Sequence, residues 1–178
     1  MKNLTKNLAS ITLPPLLAAT LSAADFHAGR TQLTAEERGR ILQVQDAGGP
    51  FEQLWKAPGF DGTWGLLKWD PEHSWAVADA PPDLLDQVRE EVGQVNQEPR
   101  KGDDLSLTVT VYRFKRQGFL TNPVGSFELV ARNREGKAVW IALDRVKSSQ
   151  SLANSLADSD SQIMARELRR KLRVAFLK

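Results

Sequence analysis

Leu105, Leu107, Val109 and Val111 alternate with Ser106, Thr108, Thr110 and Tyr112, and a period of two sends the first set to one face of a strand and the second to the other. No other stretch restricts the fold as much. The rhythm slips after Val111, where Arg113 takes an apolar slot before Phe114, which predicts a bulge or a strand end. Gly118 and Asn122-Pro123 mark a turn. Phe127, Leu129 and Ala131 then restart the alternation, with Ser126 and Glu128 opposite. Asn133-Arg134-Glu135-Gly136 makes a tight connection, since glycine takes positive φ at little cost. Val139, Ile141 and Leu143 supply a third apolar row. Short strands joined by tight turns predict an antiparallel meander.

A sheet with an oily face needs a cover. Ser159 and Gln162 fit a capping box, and Asp158 and Asp160 place negative charge at the helix start. Met164, Leu168, Leu172 and Ala175 recur at helical spacing, flanked by Ile163 and Phe176. A second helix opens at Pro81-Pro82-Asp83, with Leu84, Leu85, Val88, Val92 and Val95 on one side and Asp86, Arg89, Glu90 and Gln94 on the other. The expected fold is therefore α+β: an antiparallel meander of three to four strands with helices packed on one face.

The chain begins differently. Lys2 and Lys6 precede an apolar run from Ala9 to Leu21, and Ser22-Ala23-Ala24 offers small residues of the kind a signal peptidase accepts. Residues 1–24 read as a cleaved signal peptide. The rival reading, a retained membrane anchor, needs about 20 apolar residues, more than this run holds. With the leader gone, 22 basic residues face 22 acidic ones. The basic balance of the whole chain is then no argument for nucleic acid as a partner. The 178 residues contain no cysteine, which leaves a packed core to supply stability and excludes thiolate chemistry and a lipid-modified cysteine.

Residues 25–178 read as one domain, with a tryptophan-rich part over 25–80 and a helix–sheet–helix core over 81–178. In the first part Thr34 and Glu37 match a capping box, and Ile41, Leu42 and Val44 follow before Gly48-Gly49-Pro50. Phe51, Trp55, Phe60, Trp64, Trp69 and Trp75 come next, interrupted by Pro58-Gly59 and Asp61-Gly62. Trp64 to Trp69 admits a strand. Asn96 to Asp104 reads as a linker into the meander.

The chemistry is sparse. The two histidines are His27 and His73, and the sequence lacks H-E-x-x-H, G-x-S-x-G, a Walker loop and the dinucleotide glycine fingerprint. Zinc would lack its usual set of histidine and cysteine ligands. The expectation is a non-catalytic protein with no cofactor and no metal. Two binding candidates remain. Trp64, Trp69 and His73, with Asp61, Asp70 and Glu72, could stack on and hydrogen-bond a glycan, or act as a glycan-active site. Buried indoles and turn-forming acids explain the same residues, and burial is the commoner use of aromatics. Arg166, Arg169, Arg170 and Arg173 on the last helix, with Lys171 and Lys178, form a basic face that could meet an acidic partner or a membrane surface peripherally. Late basic residues also complement the helix dipole.

The run Gly125-Ser126-Phe127-Glu128-Leu129-Val130-Ala131-Arg132-Asn133-Arg134-Glu135-Gly136-Lys137-Ala138-Val139-Trp140 resembles the strand–turn–strand of a group of bacterial envelope proteins. These are curli-secretion-type lipoproteins, lipoprotein activators of penicillin-binding proteins, and the amino-terminal domain of the Tol-Pal β-propeller protein. The resemblance covers about the last hundred residues. It implies helices on one side of a small mixed sheet, and an exported, periplasmic or extracellular, non-catalytic role bound to another envelope protein or glycan. It assigns no binding residue, and the missing cysteine departs from the lipoprotein members.

Overall fold

The computed structural model describes residues 31–42, 44, 49–97, 101–118, 121–147 and 158–176. The expected leader over 1–24, His27, Gly48 and Lys178 lie outside them, as do 98–100 of the expected linker. Among these described residues three helices and six strands follow in order: α1 (Ala35–Leu42), β1 (Gln53–Lys56), β2 (Leu67–Trp69), β3 (Trp75–Ala76), α2 (Leu84–Val95), β4 (Leu105–Lys115), β5 (Val124–Arg132), β6 (Ala138–Lys147) and α3 (Asp160–Phe176).

Strands β4, β5 and β6 form the antiparallel meander that the alternation demands. A register shift falls between Val111 and Arg113, where the apolar rhythm breaks. The β5–β6 turn closes through Gly136 N–H to Asn133 O at 3.0 Å, with Gly136 at φ +75°. The sheet is larger than a meander, however, and it is mixed. It holds six strands in the order β1-β6-β5-β4-β2, with β3 also on β4. β1 runs antiparallel to β6, whereas β2 and β3 run parallel to β4. The three added strands have four, three and two residues, too few to carry a readable period. They form because the long strands offer open edges to pair with. Residues of the tryptophan-rich part thus complete the same sheet that the later half begins.

The two long helices cover one face, α3 lying against α2. Leu107, Val109, Phe127, Leu129, Trp140 and Ala142 of the sheet join Leu84, Val88 and Val92 of α2 and Met164, Leu168 and Leu172 of α3 in the main core. The capping box of α3 is present, with Ser159 N–H on Gln162 Oε1 at 3.1 Å and Gln162 N–H on Ser159 Oγ at 3.3 Å. Ser161 Oγ donates to Asp83 Oδ1 at 2.6 Å and ties the two helix starts together.

The opposite face is covered as well, which the sequence reading does not anticipate. Leu33, Ile41 and the half-buried Val44 pack on Val130, Ala138, Ile141 and Leu143, with Trp55 beside them. Ile141 and Leu143 therefore face away from α2 and α3, and the residues of β6 that face them are Trp140, Ala142, Asp144 and Val146. With both faces buried, both parities of Val139-Trp140-Ile141-Ala142-Leu143 are apolar, and alternation alone cannot say which one meets the helices.

Candidate functional site

An open groove of about 600 Å³ lies between the start of α1, the end of β1 and the β5–β6 turn. Its charged lining is Glu36, Glu37, Arg40, Arg132 and Lys137. Thr34 and Glu37 form the reciprocal capping box, Thr34 N–H to Glu37 Oε2 at 2.9 Å and Glu37 N–H to Thr34 Oγ1 at 3.2 Å, which fixes the Glu37 carboxylate over β5. Arg132 grips it with both terminal nitrogens, at 2.7 and 3.1 Å, and also donates to Gln32 O at 2.8 Å and Gly136 O at 3.2 Å. Burial works to raise the Glu37 pKa, but the Arg132 and Thr34 hydrogen bonds outweigh it and hold the carboxyl below its ordinary range. Such a carboxylate is a fixed charge and has no proton to exchange near neutral pH. Arg40 pairs with Glu36 and lies over the Trp55 ring, 5.4 Å from its centroid. The groove can hold a polar or charged ligand.

The tryptophan candidates do not converge. Trp64 is fully buried in the main core and presents no indole face on which a sugar could stack. The loops around it meet closely. A Cβ on Gly102, whose φ is +148°, would come within 2.7 Å of Trp64 Cα. Trp69 is half-buried against the same core. His73 lies exposed, its Nδ1 2.9 Å from Asp70 Oδ2. Asp70 Oδ1 accepts the amides of Glu72 and His73 at 3.1 and 3.2 Å, and Asp61 Oδ1 accepts the Thr63 amide at 2.8 Å. These acids shape turns. Glu72 is exposed beside them.

The arginines of α3 are engaged mostly one by one with acids. Arg166 pairs with Asp158 at 2.7 Å, Arg169 with Glu91 of α2 at 2.6 Å, and Arg170 with Glu167. Arg169 also reaches Gln94. Arg173 is exposed. Arg169 thus serves as a clasp between helices, while Arg166, Arg170 and Arg173 keep more of their surface in solvent.

Two buried carboxylates escaped the sequence reading. Glu128 accepts from Thr31 Oγ1, from Gln32 N–H at 2.9 Å and from Tyr112 Oη at 2.7 Å, pinning the start of the described chain to the sheet. Burial, with the Glu128 charge beside it, pushes the Tyr112 hydroxyl well above the ordinary range. Asp144 faces α3, where Lys171 Nζ meets it at 2.5 Å and the Glu52 amide at 3.1 Å. Burial raises the Asp144 pKa, and Lys171 opposes the rise only in part. The available signal was that Asp144 continues the parity of Trp140 and Ala142, while Lys171 follows Leu168 by three residues on the packed stripe of α3.

Among the described residues no group of three or more His, Asp or Glu side chains could hold a metal ion, and no helix is long and apolar enough to cross a membrane. No family model, curated protein or solved structure matches the chain.

Proposed function

We propose that the chain is an exported envelope protein, periplasmic or extracellular, that binds another envelope component and catalyses no reaction. What carries this reading is the layout of its second half: a helix, three antiparallel strands and a closing helix, with both helices on one face of a mixed sheet. That is the arrangement implied by the resemblance of residues 125–140 to the envelope group. The groove supports binding over catalysis, because its central carboxylate is neutralised by Arg132. Its mixed charges suit a polar protein segment or glycan of the envelope. The test is a tagged full chain expressed in a bacterium, followed by fractionation, mass measurement of the N-terminus and cross-linked capture. We expect recovery from the envelope fraction with a terminus near Asp25, and a captured component whose yield falls on Lys137→Glu. Cytosolic recovery with Met1 intact would refute export, and capture indifferent to Lys137 would place recognition elsewhere.

A further inference from the structure

Strand β1 ends the sheet on one side, and its open side leads into the groove. Ala57 N–H donates to Val139 O at 2.9 Å, which marks these two as a hydrogen-bonded pair of the antiparallel ladder. Such pairs alternate along a ladder, so Trp55 with Ile141 and Gln53 with Leu143 are the next two. The N–H and C=O groups of Leu54 and Lys56 therefore point away from β6. Among the described residues no strand pairs with that side of β1, whereas β2 and β3 lie along β4 at the other edge. The side chains of β1 are half covered in the same way. Leu54 packs on the main core and Trp55 on the second one, yet both stay half-buried. Ala57, the residue after β1, lines the groove together with Lys137 and Val139.

The groove carries a surplus of positive charge. Of the charged residues that line it, Arg132 answers Glu37 and Arg40 answers Glu36, which leaves Lys137 over. The Lys137 amide donates to Asn133 Oδ1 at 2.9 Å, while its side chain is exposed and pairs with no acid among the described residues. We propose that β1 takes an extended segment of a partner protein as a further strand, and that this segment sets an Asp or Glu against Lys137 where it enters the groove. Strand addition here rests on the reading of the groove as the binding site, and it selects protein over glycan as the occupant. A sugar has no row of amides and carbonyls to match those of Leu54 and Lys56. A second copy of the chain suits the edge less well. Two β1 strands of four residues would meet along about 13 Å, far too little for the roughly 800 Å² that each partner buries in a stable interface. An extended segment is not held to that length, because past Lys56 it gains the groove.

The experiment selects short randomised peptides, displayed as a library, against the full chain. The selected pool should be rich in β-branched residues with Asp or Glu near one end, and selection against Lys137→Glu should exchange those acids for Lys or Arg. A selected peptide is then resynthesised with N-methyl groups on alternate residues, in each of the two phases. One phase should lose about tenfold or more in affinity and the other should bind as before, since an added strand turns only every second amide toward β1. In the complex the Leu54 and Lys56 amides should exchange with solvent about tenfold more slowly, or slower still. A pool without acids, or acids that persist against Lys137→Glu, overturns the proposal. So do equal effects of the two methylation phases, and Leu54 and Lys56 amides that exchange as before. Self-association of the chain that protects the same amides without peptide would assign the edge to a second copy and also overturns it. An envelope glycan captured through Lys137 while no peptide is selected would overturn the added strand alone. Capture indifferent to Lys137 would remove the reading of the groove with it.

Discussion

Lys171→Met should be among the most damaging single changes in the molecule, and its damage should depend on pH. The Asp144 side chain is 1% exposed and Lys171 14%, so water cannot replace the lysine. Methionine keeps the length and packing of the aliphatic stem but leaves the carboxylate with the Glu52 amide and its local backbone contact. Removing one partner of a buried pair costs about 3–5 kcal/mol, a large share of the 5–15 kcal/mol by which domains are stable. Burial already raises the Asp144 pKa in the native protein, and loss of the ammonium raises it further. A carboxyl whose folded pKa lies above its unfolded value binds its proton more tightly when folded. Stability from this group is therefore complete below the unfolded pKa and is lost as pH rises through the folded one. The deficit of Lys171→Met relative to the native chain should be largest near pH 8 and shrink as the pH falls toward 4. Urea unfolding at both pH values measures it, and the difference between the two proteins cancels groups common to both. The double change Asp144→Leu with Lys171→Met should recover most of the loss, since an apolar replacement of a buried pair is often neutral or stabilising. A deficit below about 1 kcal/mol at pH 8, or one that grows on acidification, would refute this account.

Three further outcomes follow from the packing. Val109→Asp places a carboxylate at a fully buried position and should abolish the cooperative thermal transition, as seen by circular dichroism, because the desolvation cost rivals the whole stability. Trp64→Ala should lower unfolding free energy by about 3–5 kcal/mol; a variant that melts normally and loses only ligand binding would contradict its place in the core. Glu37→Gln should cost about 1–2 kcal/mol at neutral pH by replacing the charged Arg132 fork with a single neutral acceptor, while glutamine can keep the capping box. Because the folded pKa of Glu37 is lowered, that cost should fade in urea titrations as the pH drops through it.

Local chemistry was legible in the sequence where a few neighbouring residues decide it. The capping boxes at Thr34–Glu37 and Ser159–Gln162, the slip after Val111 and the positive φ at Gly136 all depend on contacts within a turn or two. The faces of β6 were not legible, because Leu33 and Ile41 cover the second face and make both parities apolar. Ser126 and Glu128 read as the residues opposite the apolar row of β5, and they are 2% and 1% exposed, with Thr31 and Gln32 folded over Glu128. Nothing in the composition of that segment announces the cover. The groove was illegible for a related reason: Glu37 and Arg132 are 95 residues apart. On α3 the sequence displays the cations, while the acids that engage Arg169 and Lys171 come from α2 and β6.

The broken edge beside β4 has a consequence for solubility. β4 is eleven residues long, and a strand of that length left open would be a template for a second chain. β2 and β3 cover it in two short pieces separated by the Asp70–Ser74 turn, which the Ser74 amide closes onto Asp70 O at 3.2 Å. In the gap between them the Val109 amide donates to Ser74 Oγ at 3.2 Å, so a side chain takes the place of a backbone carbonyl in the ladder. The inner row of hydrogen bonds thus continues across the interruption, while the outer one, which a neighbouring molecule would have to match, is cut in two. Asp70, Glu72 and His73, which read as part of a binding site, lie with Pro71 and Ser74 in this turn, and together they place a proline and charge at the edge where fibrous self-association would otherwise begin.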